Sequence, residues 1–216
     1  MTTLTLHGYW RSGAAYRVRI ALNLKGLEYD QVSHDLRTGA QSAADYKAIA
    51  PQGLVPALQY GDLTLTQSPA ILEWLEETFP QPPLIPTEAD ARAIVRAMAA
   101  LIGCDIHPLN NLRVLKRLKK LGHDQSQIDD WARHWITTGF DALETMVAQH
   151  GRGFCFGSTA TFADCYLIPQ LYSARRFGAD LALYPRLLAV EARASEYEAF
   201  RLAHPSVQPD ADPAGN

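Results

Sequence analysis

The chain is poor in the features that would assign it to several large functional classes. Its three cysteines, Cys104, Cys155 and Cys165, are too few and too scattered over 216 residues for a disulfide framework. Their spacing matches no zinc pattern either. They are expected to behave as small buried hydrophobes in a reducing compartment, with the cytoplasm as default location. No apolar run approaches the roughly 18 residues of a membrane-spanning helix. The start, MTTLTLHGYWRSG, lacks the basic residues and long apolar stretch of a secretory signal. A net charge of −3 leaves no overall footprint for nucleic acid. Neither a membrane nor a nucleic acid is therefore expected as partner. What is present is an ordinary globular composition, 47% hydrophobic and 20% charged, enough for one large domain or two modest ones.

The first 80 residues alternate short β-favouring runs with helical patterns. Thr3–His7 and Tyr29–Ser33 read as strands. Between them a helix carries Val18, Ala21 and Leu22 on one face and ends at Lys25-Gly26. A short, weak helix over Ser42–Ala48 stops at Ala50-Pro51-Gln52-Gly53. Val55–Tyr60, the turn Gly61-Asp62 and Leu63–Thr66 form a hairpin pattern, and Ser68–Thr78 a helix. This order predicts a small mixed sheet with helices packed on it. Residues 81–87 lie in a run with four prolines among the nine residues Phe79–Thr87, read as a linker between a first domain, 1–80, and a second, 88–216.

The second part is helical throughout. Ile94, Val95, Met98, Leu101 and Ile102 follow the i, i+3, i+4 rule, as do Ile128, Trp131, Ala132 and Trp135, then Leu143, Met146 and Val147. These are bundle-core stripes. Thr161-Phe-Ala-Asp164 has the spacing of a capping box, which makes Asp164 structural rather than catalytic. Pro169 is expected to kink or interrupt the helix that follows, and the tail from His204 to lose order near its end.

The chemistry concentrates in Tyr9-Trp-Arg-Ser-Gly-Ala-Ala-Tyr-Arg-Val-Arg19, between the first strand and the first helix. Backbone amides and the dipole at a helix start favour an anion, and Ser12 adds a hydroxyl donor there. A thiolate at this place would be stabilised by both. Thioredoxin-like redox proteins carry Cys-x-x-Cys at such a turn. Here it reads Arg11-Ser12-Gly13-Ala14, without sulfur, so a thiol must arrive on another molecule. Ser12 alone is equally compatible with a plain helix cap. Val55-Pro56, with a cis bond, would leave the Val55 main chain free to pair with an extended peptide, and Gln67-Ser68 opens a helix that offers donors to a carboxylate. Together these three places fit a short thiol peptide.

Over essentially its whole length the sequence resembles the glutathione transferases. Residues 11–22, Arg-Ser-x-x-x-[aromatic]-Arg-Val-Arg-Ile-Ala-Leu, resemble the zeta-class signature. Ile102-Gly-Cys-Asp-Ile-His-Pro-Leu-Asn-Asn111 is closer still to the bacterial maleylpyruvate isomerases of that class. The resemblance implies an N-terminal thioredoxin-like domain with a four-stranded mixed sheet, an all-helical C-terminal domain and a homodimer. It implies glutathione as cofactor, with Ser12 stabilising its thiolate and Gly13, Ala14, Ala15, Tyr16 and Arg17 lining the turn. Gln41 would meet the glycyl end, the Val55 main chain would pair with the peptide, and Gln67 and Ser68 would clamp the γ-glutamyl end. His107, Asn111, Leu112 and Arg113 match the stretch of the helical domain that closes over the site. Where the signature often has Ser-Ser-Cys this chain has Ser12-Gly13-Ala14, so no protein nucleophile exists at position 14.

The implied reaction is glutathione-dependent conversion of a maleyl keto-dicarboxylate, maleylpyruvate or maleylacetoacetate, to its fumaryl isomer. A doubly anionic substrate calls for arginines. Arg11 and Arg176 are the preferred clamps, with Arg113 third and Arg175 adjacent. His107 is read as a hydrogen-bonding residue rather than a proton donor. Arg17 and Arg19 are read as structural, with a subunit interface as one place for them. Two alternatives remain: a conjugating or dehalogenating transferase, and a noncatalytic binding protein that keeps the transferase fold.

Overall fold

The computed structural model describes residues 3–212. Its contacts divide the chain into two compact units, one running to Pro83 and resuming at Tyr197, the other spanning Leu84–Glu196. The proline-rich run thus marks the first crossing between units. The segment from Tyr197 clusters with the sheet unit, whereas the sequence reading grouped it with the helices.

In the first unit, β1 (Leu4–Gly8), β2 (Tyr29–Ser33), β3 (Ala57–Tyr60) and β4 (Leu63–Thr66) form a sheet of order β2-β1-β3-β4. β1 runs parallel to β2 and antiparallel to β3, which pairs with β4 through the hairpin. Leu6 faces Gln31 on one side and Leu58 on the other, so the apolar member of each pair sits in the middle of the sheet. Helices α1 (Gly13–Leu24), α3 (Ser68–Thr78) and α9 (Glu198–Ala203) pack together, and Ile20, Leu22, Ile71, Leu72 and Leu75 are buried completely or almost so. α1 stops where Gly26 adopts φ +65°, a conformation open to glycine, so that the Leu27 amide can return to the Leu22 carbonyl at 3.0 Å.

The weak helix of the sequence is a single 3-10 turn, Ala40–Ser42, followed by α2 (Ala44–Ile49). Tyr46 of α2 is 2% exposed and its hydroxyl donates to the Leu54 carbonyl at 2.8 Å, fixing the chain just ahead of Val55. Burial pushes the Tyr46 phenol up to about 12, so it remains a donor at any physiological pH.

The helical unit contains α4 (Ala89–Ala100), α5 (Leu112–Lys120), α6 (Gln125–His150), α7 (Phe162–Arg176) and α8 (Pro185–Ser195). The stripes named above supply much of its core: Val95, Met98, Ile102, Ala132 and Leu143 are fully buried, while Trp131 and Trp135 are half-buried and Ile136, outside those stripes, is buried. A π-helical turn, Leu101–Ile106, follows α4, closed by the His107 amide on the Ile102 carbonyl at 2.8 Å. Its Ile106 fills the space over Gly139 so closely that a Cβ there would stand 2.2 Å from the isoleucine side chain. Only glycine lets α6 approach this turn.

The capping box forms, with the Thr161 amide 2.7 Å from Asp164 Oδ2. The Thr161 hydroxyl donates to the same oxygen at 3.0 Å, and the Cys155 amide reaches Oδ1 at 2.8 Å. Complete burial raises the Asp164 pKa despite these donors. Pro169 does not interrupt α7, which continues to Arg176. The lost N–H costs one hydrogen bond, while Leu167, Ile168 and Leu171 around it stay in the core. Cys155 and Cys165 are buried as expected; Cys104 is exposed on the π-turn.

Candidate functional site

Ser12 is the N-cap of α1. Its Oγ accepts the Ala15 amide at 3.3 Å and its carbonyl accepts the Tyr16 amide at 2.9 Å. The cap and the donor readings are therefore compatible: an oxygen that accepts from the helix still has its own O–H to give. Gly13 and Ala14, the first two helical residues, have no acceptor for their amides within the helix, and no acidic residue occupies that turn. The positive end of α1 is left uncompensated beside a hydroxyl, which suits an incoming anion.

The turn residues differ in what they offer. Ser12, Gly13 and Ala14 are half-exposed; Ala15, Tyr16 and Arg17 are buried, so their contribution is main chain and support. Arg17, 3% exposed, donates from Nη1 to Ser68 Oγ at 3.4 Å, linking α1 to the start of α3. Arg19, 1% exposed, gives Nε to the Ala203 carbonyl at 3.0 Å and Nη2 to the Trp10 carbonyl at 2.9 Å. Both are buried within the unit, which corrects the idea of a subunit-interface role. Burial brings the Arg19 guanidinium down to about 10, still charged at neutral pH.

Val55 precedes a cis bond to Pro56, and β3 begins only at Ala57. Among the described residues the Val55 main chain makes no hydrogen bond, so an extended segment can pair with it. Gln67 has φ +69°, a region that non-glycine residues occupy only under constraint, and its Nε2 donates to Gln52 Oε1. Ser68, 4% exposed, opens α3 with Pro69 next to it. Gln52 was not foreseen from sequence; only its contact with Gln67 reveals it. Gln41 lies in the 3-10 turn with its side-chain oxygen buried and without a donor among the described residues.

Arg11 lies with its guanidinium carbon 5.2 Å from the centre of the Trp10 ring. In the helical unit, His107 closes the π-turn and Asn111 caps α5, its Oδ1 accepting the Arg113 amide at 3.1 Å. The exposed Arg113 thus stands at the positive end of a helix, an unfavourable place for a cation unless an anion joins it. Leu112 is exposed at 41%. At the end of α7, Arg175 donates from Nη1 and Nη2 to Glu191 at 2.6 and 2.5 Å, and the exposed Arg176 has its guanidinium carbon 5.7 Å from the centre of the Phe177 ring.

Comparison with known proteins identifies the family. Residues 11–78 match the glutathione S-transferase N-terminal domain and residues 128–193 its C-terminal domain. The maleylpyruvate isomerase of a Ralstonia species is 51% identical over 211 residues, covering 96% of this chain and 99% of the relative. The maleylacetoacetate isomerase of Pseudomonas aeruginosa is 48% identical, covering 96% and 98%. A solved maleyl pyruvate isomerase, described as a bacterial zeta-class glutathione S-transferase, matches with TM-score 0.94 at 50% identity over 96% of this chain and 100% of that one. The maleylacetoacetate isomerase of Anaeromyxobacter dehalogenans, solved with dicarboxyethyl glutathione and citrate in its active site, gives TM-score 0.89 at 42% identity over 98% and 95%. The chain belongs to the glutathione S-transferase family, in the zeta-class group of the maleylpyruvate and maleylacetoacetate isomerases.

Proposed function

We propose that the protein is a glutathione-dependent cis–trans isomerase that converts a maleyl keto-dicarboxylate to its fumaryl isomer. The observation that carries the reading is the sulfur-free turn at Ser12, with a hydroxyl donor and two unused amides at the start of α1. The residues fit glutathione: the unpaired Val55 main chain suits a peptide backbone, and the lone Gln41 oxygen suits a donor. When bound, glutathione supplies a sulfur nucleophile that adds reversibly to the double bond and so permits rotation about it.

The chain's own residues do the rest. Ser12 donates its O–H toward the sulfur, and the Gly13 and Ala14 amides add the field of the helix start. Gln67 and Ser68 hold the far carboxylate of the peptide, with Arg17 keeping Ser68 in place. Arg11, Arg113 and Arg176 are the cations for two substrate carboxylates, each able to bind with a forked pair of donors. His107 and Asn111 contribute hydrogen bonds. Support for a dicarboxylate comes from relatives solved with dicarboxyethyl glutathione and with malonate. We also read the enzyme as cytoplasmic and homodimeric; its three cysteines are free, which suits a reducing compartment.

Product analysis by NMR tests isomerisation against conjugation. Full recovery of free glutathione with a fumaryl product supports isomerisation; stoichiometric consumption of glutathione into a stable conjugate contradicts it.

A further inference from the structure

The chain after α9 returns to the Ser12 turn. A short 3-10 turn, Pro205–Val207, leads to Gln208, which is 5% exposed. Its Nε2 donates to the carbonyls of Leu202 and His204 at 2.8 and 2.9 Å, and its Oε1 accepts from Gln31 Nε2 at 3.2 Å. Two residues on, Asp210 Oδ2 accepts the backbone amide of Trp10 at 3.0 Å and the hydroxyl of Ser33. Asp212 then meets Arg37 on the surface. The remaining residues, 213–216, where the sequence reading expected loss of order, lie outside the described residues.

The Trp10 peptide groups are thereby held from both sides. Asp210 takes the amide that precedes the Trp10 side chain, and Arg19 takes the carbonyl that follows it at 2.9 Å. Arg19 also reaches the Tyr9 carbonyl at 3.5 Å, and that carbonyl closes the turn by accepting the Ser12 amide at 2.9 Å. The Trp10 ring is 1% exposed, so the residue has little room to drift while these bonds hold. Ser12 is two residues from this clamp. We infer that Asp210, acting with Arg19, is a positioning residue for Ser12, and that the C-terminal strap is part of the machinery of the thiol site.

This rests on the reading of Ser12 as the donor to a thiolate. The competing role for Asp210 is simple anchoring of the tail. Gln208 already anchors the strap with three hydrogen bonds, and the exposed Arg37–Asp212 pair adds little. Asp210 alone among these three engages the turn that carries Ser12. A displacement of about 1 Å at a reacting group is enough to cost on the order of a hundredfold in rate, so a modest loosening at Trp10 is expected to register.

The test compares Asp210→Ala with Asp210→Asn in the full chain, since asparagine retains an oxygen to accept the Trp10 amide. In glutathione-free protein, hydrogen exchange of the amides from Trp10 to Ser12 should rise at least tenfold in the alanine variant and stay near wild type in the asparagine variant. With glutathione bound, the ultraviolet titration of its thiolate should move up by about half to one pH unit in the alanine variant, with kcat reduced and the KM for the dicarboxylate within about twofold. If the alanine variant does not fold, Asp210→Glu replaces it, because one added methylene shifts the carboxylate off the Trp10 amide. Wild-type exchange and wild-type thiol titration in a merely less stable variant would overturn the inference. Exchange in glutathione-free protein reads the clamp by itself, whereas a wild-type enzyme that leaves the bound thiol with its solution titration removes the Ser12 reading instead.

Discussion

The guanidinium of Arg17 and the hydroxyl of Ser68 meet at 3.4 Å in the interior of the sheet unit, tying the helix that begins at Ser12 to the helix that begins after Gln67. The place proposed for the thiolate and the place proposed for the γ-glutamyl end of the peptide are thus coupled through a buried cation. Gln67 beside them keeps φ +69° although a side chain resists it, at a cost of about 1–3 kcal/mol. Gln67→Gly should relieve that strain and leave stability unchanged or slightly higher, while the KM for glutathione rises about tenfold or more through loss of a hydrogen bond to a charged group. Thermal unfolding and steady-state kinetics on the same samples check both halves.

Arg175 and Arg176 are neighbours for which different roles are proposed. Arg176→Ala should raise the KM for the dicarboxylate by about 10–100-fold and leave the KM for glutathione nearly unchanged. Arg175→Ala breaks a solvent-screened pair with Glu191, whose side chains are 48% and 26% exposed, and should cost less than about 1 kcal/mol with little kinetic effect. Equal changes in both KM values for the Arg176 variant would remove it from the substrate site.

Lys25 offers a larger stability effect. Its side chain is 0% exposed, with Nζ 2.8 Å from Glu76 Oε2, 2.7 Å from the Phe79 carbonyl and 3.0 Å from the Pro82 carbonyl. Lys25→Met removes the buried cation that faces Glu76 and two carbonyls, an expected loss of about 3–5 kcal/mol in denaturant unfolding. Adding Glu76→Gln should recover a large part of it.

The acid limb of stability should depend on His34. Its Nε2 lies 3.0 Å from His7 Nδ1, and His7 Nε2 lies 2.8 Å from Gln59 Oε1, which assigns the His7 proton to Nε2 and makes His34 the donor to His7. Burial and then the neighbouring His7 lower the His34 pKa from 6.5. The unfolded chain therefore binds the proton first, and stability present above pH 6.5 is lost as pH falls toward the lowered folded value. His34→Gln, which keeps a donor to His7, should flatten the melting temperature over that window. An unchanged slope would show that another group governs it.

The sequence made the local features legible. Gly61-Asp62 between two β-favouring runs, the helical period of Ser68–Thr78 and the Thr161–Asp164 spacing each encode their structure within a few residues, and each appears as read. The π-turn at Leu101–Ile106 escaped because five-residue hydrogen bonding leaves no distinct hydrophobic period over one turn. Arg17 and Arg19 read as structural from the sequence, but their burial depends on acceptors at Ser68, Ala203 and Trp10 that only folding assembles. For the same reason Asp210 and Gln52 were invisible. Ser12 was singled out from the sulfur missing at its turn, and of its two sequence readings the helix cap is the one the structure displays.

The two readings of Ser12 bear on the most direct test. The protein should be incubated with maleylpyruvate and with maleylacetoacetate, with and without glutathione, while loss of the maleyl chromophore is followed in the wild type and in Ser12→Ala. The account predicts loss only with glutathione for at least one substrate, and a fall in kcat of about 10–100-fold in the variant, since a hydrogen bond to a charged sulfur is worth about 1.5–3 kcal/mol. The cap lost with it should cost only about 1 kcal/mol of stability. No glutathione-dependent loss with either substrate, or undiminished turnover by a folded Ser12→Ala, would contradict it.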